Sequence, residues 1–328
     1  MVLVAGLSLA VIVLTGAAVR LTEAGLGCEN WPSCSDERFV PEWEFHPWIE
    51  FGNRLISGAV ALAVAAAVLT AYRRQPKRRD LISWAWGLVF GVAAQIVLGG
   101  ITVRVDLHPA FVGMHFLLSM VLLWNAIVLW VKAGSGPGDS EPIEAHTPPS
   151  SIVGRVPGSL LTHGRILVGL ATVVLLTGIV VTGTGPNSGD SRADRFGFDL
   201  ESVARIHSVA VWCFLLVAVV LAVRLNLSTG TGHPVERPEV DALDPAFGAV
   251  RLLIGVGVGQ GAIGYAQFAT GVPPALVALH IVGAIAVWGL SVVVHLLLCR
   301  RPPLEDWSMT SWFPSTADPH PQLDEVVQ

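Results

Sequence analysis

The sequence predicts an all-α integral membrane protein with eight transmembrane helices, arranged as two tandem four-helix bundles related by internal duplication. The first observation is composition: 52% of the 328 residues are hydrophobic and only 14% are charged, with a mean hydropathy of +0.62. The second is a series of apolar segments, each long enough for the about 20 residues that a bilayer core requires. The third is an internal repeat that relates the two halves.

The apolar segments are predicted to be helices, because a membrane-spanning strand would alternate polar and apolar residues. The first segment lacks the basic start of a cleavable signal peptide, so we expect it to remain in the mature protein. In chain order the predicted spans cover residues 2–19, 48–71, 82–103, 108–131, 160–183, 203–224, 247–268 and 274–298.

Basic residues predict the orientation in the membrane. The loop 72–80 carries the densest basic run, and Arg300 and Arg301 follow the last span. Because cytoplasmic loops retain positive charge, both termini are predicted to be cytoplasmic. The loops predicted to face outside are 20–47, 104–107, 184–202 and 269–273. Three segments rich in Pro, Gly and acidic residues are predicted to be flexible cytoplasmic linkers and a tail, namely 133–159, 225–246 and 302–328.

The internal repeat is read from five residues that recur in register 165 positions later. They are Gln95, Gly99, Pro109, Val112 and His115, which recur as Gln260, Gly264, Pro274, Val277 and His280. Four spans separate the copies, so both have the same orientation in the bilayer. We therefore predict two four-helix repeats at 1–132 and 160–299, a linker at 133–159, a tail at 300–328, and two similar sites on the outer side.

Three of the ten histidines share one depth inside the membrane. His115, His207 and His280 lie four to seven residues from the outer ends of their spans, at roughly 6 to 10 Å. Histidine is costly in hydrocarbon and tends to mark a site. A hydrogen-bonded core position is the alternative for any one of them. The other seven lie in loops or near helix ends: His46, His108, His146, His163, His233, His295 and His320.

Facing helices of a four-helix unit can supply two axial imidazoles to a haem, and His207 with His280 meets this requirement in the second half. The first half offers His115, but Asn53 takes the matching position on its second span. A metal ion without porphyrin is a weaker interpretation, because two histidines per site are sparse for zinc. Arg54 and Arg205 could neutralise haem propionates or extend to the interface.

A carboxylate distinguishes the two halves. Glu50 precedes Asn53 by three residues and shares its helix face, whereas Ala204 precedes His207 at the same spacing. This asymmetry favours chemistry in the first half and electron transfer in the second. Glu50 could act as a base or stabilise developing positive charge. An interfacial ion pair with Arg54 is the alternative.

Two of the four cysteines share an outer loop, where thiols are usually oxidised. We predict a Cys28–Cys34 disulfide that closes a short loop over the first-half site. A structural role is favoured over a redox role, because nothing in the sequence marks a lowered thiol pKa. Cys213 and Cys299 lie in or at the end of helices and are expected to be inert.

These motifs resemble the haem A synthase family over roughly residues 10–298. The segment RLTEAGLGC at 20–28, followed by Trp31, Pro32 and Cys34, is similar to the family's first outer loop, and IEFGNR at 49–54 is similar to its carboxylate-and-histidine motif. The resemblance implies oxidation of a ring methyl of haem O to a formyl group through hydroxymethyl stages. It also implies that the porphyrin supplies much of the chemistry while the protein positions it.

The resemblance further implies site residues and partners. Glu50 would be the catalytic carboxylate, His115 would bind the iron of the substrate haem O, and His207 with His280 would hold a b-type haem. Asn53 departs from the family, which usually has a second substrate-side His there; either His115 acts alone or a group such as His108 completes the site. Haem O synthase and cytochrome c oxidase assembly are implied partners in a bacterial cell membrane; an oligomer is possible, and no nucleic acid is expected.

Three other functions remain open at this point. A transmembrane b-type cytochrome that relays electrons predicts paired histidines in both halves and no need for Glu50. A small-molecule permease predicts no haem. A thiol oxidoreductase acting through Cys28 and Cys34 is weakened because the sequence has no second cysteine pair near them.

Overall fold

The computed structural model describes residues 1–28, 30–134, 158–229 and 244–299, and over these residues every regular element is a helix. The predicted linkers and tail fall largely outside these ranges, as do His146, His233 and His320. The helices are α1 (Val2–Leu21), α2 (Phe45–Arg73), α3 (Arg79–Arg104), α4 (Pro109–Gly134), α5 (Gly158–Thr184), α6 (Leu200–Thr229), α7 (Asp244–Ala269) and α8 (Pro274–Cys299). They contain every predicted span, apart from His108 at the start of the fourth.

All eight helices of the described residues are long and apolar enough to cross a membrane. The helix faces that point away from the bundle expose large aliphatic side chains: Leu62 is 74% exposed and Leu216 is 64% exposed. A helix that is apolar on every side satisfies its backbone internally and is stable in lipid. The chain is therefore an integral membrane protein with eight spans, as the sequence predicted.

The helices form two rings with the same order of contacts. In the first unit α1 packs against α2 and α4, and α3 joins α2 to α4; α5, α6, α7 and α8 repeat this order. The units meet where α8 contacts α1 and α4 and where α4 contacts α5. One apolar core runs through both, and the buried Trp288 donates its indole N–H to the Met120 carbonyl across the boundary at 2.8 Å.

The turns before α4 and α8 have the same backbone form. Asp106 and Leu107 have φ of 52° and 57°, and Gly271 and Val272, 165 positions later, have φ of 79° and 61°. Proline follows each turn as the first residue of the next helix, where its missing N–H costs nothing. This correspondence supports the predicted duplication, which stays a prediction.

The loops at the end of the bundle that is predicted to face outside connect the two units. Arg20 Nη2 donates to the Thr182 carbonyl at 2.8 Å, and the Gly25 N–H donates to the Gly189 carbonyl at 3.0 Å. In the loop before α6, hydrogen bonds from Arg192 hold the pKa of Asp190 below its usual range. The loop between α1 and α2 and the loop between α5 and α6 are thus fixed against each other above the helices.

Candidate functional site

His207 on α6 and His280 on α8 face each other in the second unit. Their ring centres are 6.4 Å apart, with 74° between the ring planes. Two imidazoles that bind one metal from opposite sides place their centres about 6 Å apart, because each metal–nitrogen bond is about 2 Å long. The spacing fits a pair of axial ligands on one haem iron. That role stays a prediction, although the fold brings the two rings together.

Thr177 on α5 orients the ring of His207. Its Oγ1 lies 3.0 Å from His207 Nδ1 and 2.9 Å from the Val173 carbonyl. The hydroxyl has one proton, and donating it to the carbonyl leaves Oγ1 to accept from Nδ1–H. His207 Nε2 then carries the lone pair that a metal requires.

A glycine on each odd-numbered helix lies against a polar residue on the next helix. The closeness is measured from an ideal Cβ placed on the glycine to the nearest side-chain atom of its neighbour. The four pairs are Gly16 with Asn53 at 4.0 Å, Gly99 with His115 at 3.4 Å, Gly178 with His207 at 3.2 Å and Gly264 with His280 at 3.5 Å. Asn53 and His115 therefore take the places in the first unit that His207 and His280 take in the second.

Contacts to Asn53 and His115 extend this correspondence. Thr15 Oγ1 lies 2.8 Å from Asn53 Oδ1, as Thr177 lies against His207. Gln95 donates from Nε2 to the His115 carbonyl at 3.0 Å and so fixes the turn of α4 that bears the ring. His115 Nδ1 is buried without a hydrogen-bond partner in the described part of the chain, and His280 Nδ1 is in the same position. Buried imidazoles with unused nitrogens fit a ligand role.

Glu50 lies buried one turn before Asn53 on α2, at 6% exposure. Its Oε2 accepts the backbone N–H of Cys28 at 2.8 Å, and its Oε1 forms an ion pair with Arg54. The ion pair that the sequence offered as an alternative is present, and the protein largely encloses both side chains. Two donors thus hold the carboxylate inside the first unit, and its catalytic role stays a prediction.

Arg54 connects that carboxylate to the disulfide loop. Its Nη1 donates toward the carbonyls of Asn30, Pro32 and Ser33 at 3.0, 3.3 and 3.1 Å. These contacts engage the guanidinium with the protein, so the structure gives no support to a role at haem propionates. Arg205, the other candidate, is 75% exposed and pairs with Glu201 on the outer turn of α6.

The predicted Cys28–Cys34 disulfide is present, and both cysteines are buried against Phe51. Between them, Trp31 lays its indole ring on Gly100 of α3; an ideal Cβ there would meet the ring at 2.9 Å. Gly100 follows the glycine that faces His115, so Trp31 lies near the first site. The sequence marked Trp31 only as part of the outer-loop motif; its contact with α3 was not predicted.

The remaining candidates lie elsewhere. His108 is exposed in the turn before α4, with its ring against Phe111. His163 bonds the Ser159 carbonyl near the start of α5, and the free Cys213 and Cys299 are exposed. Across the described ranges, no cluster of three or more His, Cys, Asp or Glu side chains is placed to hold a metal ion.

Comparison with known proteins places the chain in a family. The family model COX15-CtaA, described as cytochrome oxidase assembly protein, matches residues 1–237. The chain is 36% identical over 125 residues to a haem A synthase of Geobacillus kaustophilus, covering 34% of this chain and 38% of that protein. It is 31% identical over 125 residues to one of Symbiobacterium thermophilum, covering 38% and 40%.

The matched part thus spans about two fifths of the length of these relatives, and His280 lies beyond the residues that the family model matches. The family model itself covers most of the chain, including Glu50, Asn53, His115 and His207. The chain belongs to the cytochrome oxidase assembly protein family, the haem A synthase family whose motifs its sequence carries.

Proposed function

We propose that the protein is a haem A synthase, an oxidoreductase that converts a ring methyl of haem O to a formyl group through hydroxymethyl stages. The observation that carries the proposal is the difference between two otherwise matching sites. The first unit has Glu50 enclosed beside Asn53, whereas the second has a facing histidine pair and Ala204 in place of the carboxylate.

In the first unit, His115 would bind the iron of the substrate haem O. Asn53 stands where the second unit has His207, and an amide is a poor iron ligand. One axial position of the substrate would then stay open for water or an oxidant. An open position favours oxidation of the substrate, whereas two strong protein ligands favour electron transfer alone.

Glu50 would be the catalytic carboxylate. Oxidising the methyl group releases protons and builds positive charge near the ring, and a nearby carboxylate can accept the proton or stabilise the charge. Arg54 and the Cys28 N–H hold the carboxylate in place. At 6% exposure it acts with little competition from water.

In the second unit, His207 and His280 would hold a b-type haem, which supplies one-electron transfer when bound. Thr177 fixes the tautomer of His207, and Gly178 and Gly264 let both rings pack closely against neighbouring helices. The shared core of the two units keeps the sites at a fixed separation. The histidine pair taken alone also suits an electron-relay cytochrome, but such a protein would not need Glu50.

The proposal extends to location and partners. The protein would lie in a bacterial cell membrane with both termini cytoplasmic and both sites toward the outer leaflet. The repeats 1–132 and 160–299 would each carry one site. Haem O synthase would supply the substrate, and cytochrome c oxidase assembly would consume the product.

The test is to purify the protein in detergent from cells that supply haem O and to identify the extracted haems by mass. We expect b-type haem together with haem O and its hydroxylated and formyl products. Glu50→Gln should lose the products by at least about tenfold while retaining b-type haem, because the amide cannot accept the proton. The matched control is Glu201→Gln, since Glu201 forms the corresponding but exposed pair with Arg205.

Two outcomes would contradict the proposal. Only b-type haem, with the same content in Glu50→Gln, would indicate the electron-relay cytochrome. A protein without any haem would exclude both functions and leave the permease and the thiol oxidoreductase.

A further inference from the structure

Two equivalent threonines use their hydroxyl protons differently. Thr177 has backbone carbonyls at 2.9 and 3.1 Å, so its proton goes to the backbone and its oxygen accepts from His207. Thr15 has the Ile12 carbonyl at 3.2 Å and Asn53 Oδ1 at the shorter distance of 2.8 Å. A hydroxyl carries one proton and donates it to the nearer acceptor, which here is Asn53 Oδ1. Thr15 therefore donates to Asn53.

This hydrogen bond fixes which way the Asn53 amide faces. With Oδ1 held by Thr15, the two N–H bonds of Nδ2 point away from that oxygen. No partner for Nδ2 is found over the described residues, and Asn53 is half-buried within a membrane span. Nδ2 is not enclosed by the protein, so a molecule that enters the site can reach its N–H groups, and lipid offers them no competing acceptor.

We propose that Asn53 donates a hydrogen bond to a small ligand bound on the open face of the substrate haem, opposite His115, and that Thr15 positions its amide. The inference rests on the proposed function. Where His207 would bind iron directly, Asn53 would leave the iron position free and stabilise a ligand whose outer atom accepts a hydrogen bond. Asn53 would thus select the class of molecule that binds there.

The experiment uses carbon monoxide on the reduced, purified full-length protein and follows the C–O stretching band by infrared spectroscopy. A donor at the outer atom draws electron density toward it and lowers the stretching frequency. Asn53→Leu, which keeps the size but removes the donor, should move the band to higher wavenumber. Thr15→Val should split or broaden the band, because the amide then takes both orientations.

Thr172→Val is the matched control and should leave the band unchanged, since the Thr172 hydroxyl donates to the Val168 carbonyl of its own helix and Thr172 belongs to neither proposed site. In every variant, the absorption spectrum of the haem held by the histidine pair reports whether the protein is folded. A band that stays in place in Asn53→Leu would overturn the inference. A move to lower wavenumber would also overturn it, because it would place the carbonyl rather than the N–H toward the ligand.

The same experiment distinguishes failure of the proposed haem A synthase function from failure of the inference about Asn53. If the unsubstituted protein shows the second-unit haem but no carbon monoxide band, the first site holds no haem with an open position. That result would remove the proposed substrate site and this inference together. A band that is present but insensitive to Asn53 removes the inference alone.

Discussion

Arg54 joins a carboxylate, a helix and a loop at a single side chain. One guanidinium nitrogen pairs with Glu50, and the other lies among three carbonyls between the cysteines. A planar guanidinium with several fixed donors suits this geometry, whereas a lysine would reach fewer acceptors. Arg54 thus links the disulfide loop to the proposed catalytic carboxylate.

Replacing Arg54 by Met should expose the disulfide to reductant. The change keeps an extended side chain but removes the donors, so the loop 28–34 loses its anchor and Glu50 loses its partner. We expect dithiothreitol to reduce Cys28–Cys34 at least about tenfold faster, equivalent to about 1.4 kcal/mol of lost anchoring. The measurement is thiol alkylation against time, read by mass spectrometry.

The control for this change is Arg205→Met, in which an exposed pair of the same spacing is broken. Exposed pairs contribute about 0 to 1 kcal/mol, and Arg205 does not contact the loop, so the reduction rate should not change. Equal rates in Arg54→Met and the unsubstituted protein would show that the disulfide and its apolar neighbours fix the loop without the arginine.

The sequence predicted site features formed by residues that are close together in the chain, but not those formed by contacts between helices. Cys28 and Cys34 share a short loop, and the disulfide is confirmed. The contacts of Thr15 and Thr177 were not predicted, because they depend on which faces of neighbouring helices meet. In a membrane protein both lipid-facing and protein-facing surfaces are apolar, so a single sequence does not distinguish them.

At the scale of elements, the eight spans were predictable because length and apolarity decide them. The turns before α4 and α8 were not predictable. Leu107 and Val272 there adopt left-handed backbone conformations, which cost residues with a Cβ about 1–2 kcal/mol. The surrounding helices must impose these conformations. The turn of the first unit has no glycine; Asp106 tolerates this conformation better than most residues, but Leu107 gives no local signal for it.

Packing of the disulfide loop on α3 gives a prediction at this scale. A methyl group at Gly100 would meet the Trp31 ring at 2.9 Å, where contact is with a rigid aromatic group. Gly100→Ala should therefore displace Trp31 and destabilise the protein by about 1–3 kcal/mol through overpacking. The measurement is the midpoint of thermal unfolding in detergent.

Gly169→Ala is the control, because a Cβ at Gly169 meets nothing within 4 Å. Alanine has the higher helix propensity, so this variant should unfold at the same temperature or slightly higher. If Gly100→Ala also shows no decrease in the unfolding midpoint, the Trp31 ring moves without cost and does not fix the disulfide loop on α3.

At the scale of the whole molecule, the sequence predicted two bundles but not how closely they join. The Trp288–Met120 hydrogen bond and the continuous core make the two units one body, with loops from both halves bonded above it. The repeat places residues within each unit but carries no signal for contacts between units. The contacts between units differ for the corresponding helices of the two copies. The fourth helix of the second unit, α8, contacts α1 and α4, whereas the fourth helix of the first unit, α4, contacts α5 and α8.

Orientation in the membrane is the prediction that belongs to the whole molecule. The basic loop between α2 and α3 should be cytoplasmic, which places the disulfide loop and the α5–α6 loop on the outer side. Single cysteines introduced by Lys77→Cys and Ser191→Cys test this, because both positions are exposed in loops at opposite ends of the bundle. Cys213 and Cys299 are first replaced by alanine to remove background labelling.

A membrane-impermeant maleimide applied to intact cells should label Ser191→Cys and should label Lys77→Cys only after the membrane is opened. Both Arg54 and the disulfide loop would then work in an oxidising compartment, where the Cys28–Cys34 bond persists. The reverse pattern would place that loop in the reducing cytoplasm, and the disulfide could not be a stable part of the first site. Labelling of both positions in intact cells would mean that the cells are leaky, which a cytoplasmic marker protein with a reactive cysteine detects independently.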